Sequence, residues 1–228
     1  MKKIMLFVLL ALGAVQANAK AWLNYAGLSL NVPIVDTSLK MEETGEKQNL
    51  AEIGYGGGVS YIGVHRSGFL VKADALIGAI TSDDVEIQGS GRNVGFYENL
   101  SAGAGYAFVN TEKVLFGVAV MGGAEIAQYE DDYTKRNASD DLKHKYTDSM
   151  TFATGSIGGD IFCAYNLGAH FGLFASAGAR YIYGGAGQIE KKDEWTQDSN
   201  KKSSTSSSDF DLSGKIVVSP SIGVMWHF

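Results

Sequence analysis

A chain of 228 residues with a formal charge of −6, 29 glycines, two prolines and one cysteine fits one large domain or two small ones, and so mild and scattered a charge argues against a nucleic-acid surface. Its only cysteine, Cys163, allows no internal disulfide. Abundant glycine with almost no proline suits a small β-barrel, where glycine relieves crowding in the wall and proline cannot join a ladder.

Lys2 and Lys3 precede an apolar run, Ile4 to Val15, and then Ala17-Asn18-Ala19. That order is a cleavable secretory signal, too short to span a bilayer as a mature helix. Cleavage after Ala19 leaves about 209 residues, 20–228, as one domain of an exported protein. The next elements alternate in side-chain character, the strand period. Strand one is expected over Trp22 to Ile34, followed by a polar loop over 36–49. Strand two, Leu50 to Val64, carries Ile53, Tyr55, Val59 and Tyr61 on one face and ends at the tight turn His65-Arg66-Ser67-Gly68. Strand three, Phe69 to Ile80, sets Phe69, Val71, Ala73, Ala75 and Ile77 against Lys72 and Asp74. A polar loop covers 81–93.

Strand four, Val94 to Val109, faces Leu100, Ala102, Ala104, Tyr106 and Phe108 one way, and Asn110 to Lys113 form a second tight turn. Strand five runs from Val114 to Tyr129 before a long charged loop over 130–149. Strand six, Met150 to Tyr165, and strand seven, from Phe171 through Tyr183, flank the short turn Asn166 to Ala169. The last loop, 188–209, holds the Ser203–Ser208 run, whose low complexity reads as flexible. Strand eight closes the chain, with Ile216, Val218, Pro220, Ile222, Val224, Trp226 and Phe228 in one register.

Eight strands with three short turns and four long loops in strict alternation describe an antiparallel up-and-down transmembrane barrel. Aromatic residues near both ends of the apolar face match the two interfacial girdles of a lipid-facing band. No mature segment offers eighteen unbroken apolar residues; Gly155 to Ala179 is interrupted by Asp160, Asn166 and His170. An eight-stranded barrel has room inside for side chains and little else. The expected inward register holds Glu52, Lys72, Asp74, Glu125, Asp160, Arg180 and Lys215. Buried charges are costly unless opposite signs pair, so an internal ion-pair network is expected, filling the barrel in the favoured reading and lining a narrow gated path in the other.

No motif for chemistry stands out. His144 is the one histidine in a long loop, with Ser139, Asp140, Asp141, Asp148 and Ser149 near it in sequence, but nothing fixes the geometry of a triad, and a solvated charged loop is the expectation. No cysteine–histidine spacing suits a metal, and no cofactor is expected. The carboxylate groups Glu42/Glu43/Glu46, Asp83/Asp84/Glu86 and Glu130/Asp131/Asp132 are weak candidates for divalent cations at a lipopolysaccharide surface. Gly54 to Gly58 lies within a strand and is no nucleotide loop.

The signal peptide, the eight alternating strands, the charged interior and the closing Ile222-x-Val224-x-Trp226-x-Phe228 resemble the small bacterial outer-membrane β-barrel superfamily of OmpX, the OmpA transmembrane domain and OmpW. Pro220 departs from the pattern, since such closing strands often carry an aromatic there, and a local irregularity is expected in the last strand. The resemblance implies residence in the outer membrane among lipid and lipopolysaccharide. It implies delivery by periplasmic chaperones to the barrel assembly machinery, with Ile222, Val224, Trp226 and Phe228 as the assembly signal. For function it implies a non-enzymatic surface barrel whose loops meet envelope components, host molecules or other cells. The alternative is a narrow OmpW-like channel for small or hydrophobic solutes, and a lipid-modifying enzyme is a distant third.

Overall fold

The computed structural model describes residues 21–42, 45, 47–82, 93–136, 142–197 and 200–228. The expected signal, 1–19, and most of the expected loop 81–93 lie outside the described residues. Nine strands follow in order: β1 (Trp22–Asn31), β2 (Ile34–Met41), β3 (Lys47–His65), β4 (Phe69–Ser82), β5 (Asn93–Asn110), β6 (Val114–Arg136), β7 (Lys143–Asn166), β8 (Phe171–Gln197) and β9 (Asn200–His227). Every pairing is antiparallel, and β1 and β2 both lie between β3 and β9, so they form one stave and the sheet closes as a ring of eight. Among the described residues no helix is long and apolar enough to cross a membrane, a statement that does not bear on strands.

The first stave breaks at Val32-Pro33, where the sequence led us to expect one strand and then a loop. Pro33 has no N–H for the ladder, and its carbonyl accepts from Gly54 N at 2.8 Å while Val32 N donates to the carbonyl of Pro220 at 3.1 Å. The irregularity expected at Pro220 therefore falls on the neighbouring stave: β9 pairs with β8 straight through Pro220, opposite Ala177. A register shift in β9 occurs instead at Lys215, where Asp36 pairs Ile216 and Thr37 pairs Gly214. The turn at Gly68 holds φ at 89°, a left-handed conformation that suits glycine, and Gly68 N donates to the carbonyl of His65 at 2.9 Å. In the wall, a Cβ at Gly103 or Gly158 would run into the main chain of the adjacent strand, so glycine there permits tight coiling of the sheet.

The apolar register faces outward. Leu30, Tyr55, Phe96, Val120, Ile222 and Phe228 are all exposed, although each is large and apolar. Aromatic contacts mark the short-turn end, with Trp22 on Phe69, Tyr106 on Phe108 and Phe171 on Trp226, at centroid distances of 6.1, 5.5 and 6.0 Å. Exposed Phe96, Tyr181 and Tyr183 mark the other end. From Tyr106 to Phe96, or from Phe171 to Tyr181, the rise is about 33 Å along the strand. At the usual tilt that is roughly 25 Å along the axis, the height of the apolar band of membrane barrels.

Three expected loops are strand instead. Residues 36–49, 130–149 and 188–209 mostly continue the ladders beyond the apolar band, with Arg136 paired to Lys143 and Gln197 to Asn200. The lengths are unequal: β4 has 14 residues, and β6 to β9 have 23, 24, 27 and 28. A tilted strand crosses a bilayer in about 9–11 residues. The surplus stands as a four-stranded fin, which rises about 23 Å along β6 from Tyr129 to Arg136.

Candidate functional site

The lumen is filled in layers. At the short-turn end Tyr25, Ile62, Leu70, Leu115, Phe162 and Met225 belong to one buried apolar cluster. At the fin end Leu50, Tyr97, Tyr129, Phe152, Phe210 and Leu212 belong to a second. Inward-pointing charges also lie in the wall. Lys72 Nζ meets Asp74 Oδ2 at 2.5 Å and Asp160 Oδ2 at 2.7 Å, with all three side chains buried. One ammonium between two carboxylates satisfies the low-dielectric interior better than any of them alone. A second group forms where Asn99 Nδ2 donates to Glu125 Oε2 at 3.4 Å and Arg180 acts electrostatically on the same carboxylate. Between them and Tyr97 the wall leaves a polar cavity of about 10 Å³, about the size of one water molecule. Glu52 accepts a hydrogen bond from the Tyr129 hydroxyl and lies within electrostatic reach of Glu125.

Of the seven expected interior residues, Glu52, Lys72, Asp74, Glu125, Asp160 and Arg180 are buried in the barrel; among the described side chains Lys72 joins Asp74 and Asp160, Asn99 and Arg180 act on Glu125, and Glu52 meets Tyr129. The side chain of Lys215 lies outside the described residues; its backbone sits at the β9 register shift. The partners missed in the sequence are polar but uncharged: Asn99, Tyr97 and Tyr129. Tyr129 was within reach, because the inward register that holds Glu125 continues through Ala127 to Tyr129.

The fin carries a different pattern on each face. On the face continuous with the lumen, rings stack across strands: Tyr133 on Tyr146 at 5.1 Å, Tyr146 on His144 at 5.8 Å, and His144 on Trp195 at 5.1 Å, all within 20° of parallel. His144 is buried, and its Nδ1 lies 2.7 and 2.8 Å from the two oxygens of Asp193. The expectation of a solvated loop histidine is thus corrected: β7 continues through His144 and the stack covers it. The pleat places Ser149 on the opposite face of β7 from His144, and Asp148, though on the same face, is about 13 Å along the strand. These residues do not assemble a triad; Ser139, Asp140 and Asp141 lie outside the described residues.

The other face of the fin is charged. Lys145 Nζ meets Asp132 Oδ2 at 2.8 Å, and Thr147 Oγ1 donates to Asp132 Oδ1 at 2.6 Å. These contacts hold the Asp132 carboxyl below its ordinary pKa and the Lys145 ammonium above its own. Lys192 meets Glu194 at 2.8 Å and lowers that carboxyl likewise. Burial, by contrast, raises the Asp148 carboxyl on the inner face. The group Glu130/Asp131/Asp132 alternates between the two faces and does not converge. Among the described residues no cluster of His, Cys, Asp or Glu could hold a metal ion. Glu43, Glu46, Asp83, Asp84 and Glu86 lie outside the described residues.

No family model and no curated protein matches the chain. Solved structures similar in backbone include the outer membrane protein OprG from Pseudomonas aeruginosa, at 12% identity over 91% of this chain and 95% of that one, with a TM-score of 0.47. A major outer membrane protein from Thermus thermophilus is 17% identical over 89% of this chain and 99% of that one, with a TM-score of 0.46. Ail, the attachment invasion locus protein of Yersinia pestis, is 14% identical over 90% and 99%, with a TM-score of 0.37. At such TM-scores the likeness is loose, and the eight-stave barrel stands on its own strand pairing.

Proposed function

We propose that this protein is an integral barrel of the bacterial outer membrane that works without catalysis, as a surface protein that makes contacts through its fin. The observation that carries this reading is the lumen, which has an apolar cluster toward each end and a cavity of only about 10 Å³ among its polar groups. A solute path needs a continuous polar route or a cavity of its own size, and among the described residues the two apolar clusters stand across such a route. The apolar outer band supplies the lipid contact, and the fin, which stands beyond that band, is left to meet another molecule. The purified, refolded protein in a planar bilayer is expected to give no resolved conductance steps. Stable single-channel steps would overturn the closed-lumen reading in favour of a narrow channel.

The same reading gives the closing strand a role in delivery through periplasmic chaperones to the assembly machinery. Phe228 is exposed on the outer face, yet its main chain also seals the ring: Phe228 N donates to Asn24 O at 3.0 Å and Asn24 N to Phe228 O at 3.3 Å. Deleting Phe228 removes both the ring and the seal, whereas Phe228→Ala keeps the seal. We expect Phe228→Ala to lower the amount of protein in the outer-membrane fraction while the refolded protein keeps its heat-modifiable migration in SDS. Normal outer-membrane levels would remove the side chain from any assembly signal.

A further inference from the structure

The fin's outer face carries a feature that the barrel does not need. Beyond the apolar band a cleft of about 380 Å³ is lined by Lys143, Lys145, Lys201, Lys202, Glu194 and Thr134, with Thr196, Ser203 and Trp195 completing it. Lys202 and Trp195 border it from the opposite face, where Lys202 Nζ donates to Gln197 Oε1 at 2.6 Å. On the outer face, in a chain whose overall charge is −6, stand the ammonium groups of Lys143, Lys145 (paired with Asp132) and Lys201 and, among the lining residues, one carboxylate, that of Glu194. That carboxylate is already engaged, since Glu194 pairs with Lys192 at 2.8 Å. Strand register explains the convergence. Thr134 pairs Lys145, which pairs Glu194, which pairs Ser203, so these side chains form one row on one face. The next row on that face brings Arg136 beside Lys143 and ends at Lys201, across from Thr196. Clustered like charges cost free energy in the unliganded protein, and an anion relieves that cost. The hydroxyls of Thr134 on β6, Thr196 on β8 and Ser203 on β9 stand among them and add donors.

We infer that this cleft binds the anionic groups of an acidic saccharide, phosphate or sulfate esters held by Lys143 and Lys201 with hydroxyl contacts from the flanking strands. The class follows from the site: a shallow, polar, hydroxyl-lined cleft with several separated cations fits a hydrated polyanion better than a compact apolar ligand. Such groups have two sources, the phosphorylated glycolipid of the same outer leaflet or an acidic polysaccharide arriving from outside. The inference deepens the reading of the fin as the contact surface and rests on it. Conductance tests the lumen and anion binding tests the cleft, so either can fail alone.

The test uses the refolded full chain in neutral detergent and a double variant, Lys143→Gln/Lys201→Gln, which leaves the Lys145–Asp132 pair in place. A control, Lys40→Gln/Lys47→Gln, removes the same charge from exposed positions outside the cleft. Heat-modifiable migration checks that each variant is folded. Dextran sulfate is expected to bind the wild type, to bind the cleft variant about ten-fold more weakly, and to lose affinity with added salt. The control variant should bind as the wild type does. Lipopolysaccharide in neutral vesicles, intact or stripped of phosphate, identifies the source. Cleft-dependent binding of the intact form alone assigns the site to the membrane's own glycolipid, and cleft-dependent binding of dextran sulfate without it assigns the site to an external polysaccharide. No binding of either probe by the wild type overturns the inference, and so does equal binding by the cleft variant. Equal weakening in the control variant also overturns it, because that result would reflect net charge alone.

Discussion

The barrel wall and the fin are one continuous sheet built on opposite rules. In the wall, β5 turns Leu100, Ala102 and Ala104 outward and Asn99, Ser101 and Gly103 inward. In the fin, β7 turns Lys143 and Lys145 outward and His144, Tyr146 and Asp148 toward the axis. The pleat is the same in both, because the strand period is fixed by backbone geometry. What changes across the upper edge of the apolar band is the medium outside. Where lipid covers the outer face, apolar side chains go outward and charges can lie only inside, in pairs. Where water covers it, the outer face takes the charges and the inner face stacks rings. Stability in the wall therefore rests on buried ion pairs, and in the fin on aromatic stacking and screened surface pairs.

Breaking one buried pair should show the largest effect. Lys72→Met removes the cation that bridges Asp74 and Asp160 and leaves two buried carboxylates without it. Loss of one partner of a buried pair costs about 3–5 kcal/mol, so the urea midpoint of the refolded barrel should fall well below that of the wild type. An unchanged midpoint would mean that the lumen carries charge without depending on it. The corresponding cut in the fin is His144→Ala, which removes the central ring of the stack and the partner of Asp193. Two stacked contacts contribute about 2 kcal/mol between them, and the loss should remain local. Limited proteolysis is expected to speed up within 130–149 and 190–207, while the urea midpoint of the barrel holds. A fall in that midpoint would show that wall and fin unfold as one unit.

The contrast also accounts for what the sequence disclosed. The eight staves, their inward and outward faces and the short turns were legible, because lipid outside forces a hydrophobic contrast at every second residue, as from Phe171 to Tyr183. In the fin both faces are polar or mixed, and the period is hidden from any reading based on apolarity. Thr205 pairs Lys192 and Ser207 pairs Glu190 in a regular ladder, yet Ser203 to Ser208 offer no contrast at all and read as a linker. Rings at alternate positions, such as His144 and Tyr146, were the one visible trace that the strand continues. The cleft was invisible for a related reason: its lysines come from two distant hairpin arms, and only the register brings Lys143 near Lys201.

The smallest effect belongs to the exposed pair of Asp132 and Lys145, and it tests whether fin charges act locally. The Lys145 contact is the main cause of the low Asp132 pKa, and the Thr147 hydroxyl is the second. A carboxyl whose folded pKa lies below its unfolded value stabilises at pH above that unfolded value, about 3.9 for Asp, and the contribution fades as pH falls through the lower folded value. For Lys145 the sign reverses: its raised pKa stabilises below the ordinary lysine value of about 10.4 and is lost as pH climbs past the folded one. Between those limits the pair is intact, but it is exposed to water and screened by salt. Lys145→Gln should therefore move the carboxyl titration of Asp132, followed by NMR, upward toward its ordinary value, and Thr147→Ala should move it less. Neither variant should alter the urea midpoint of the barrel. A larger shift from Thr147→Ala would mean that the hydroxyl, and not the ammonium, sets the charge on this face of the fin.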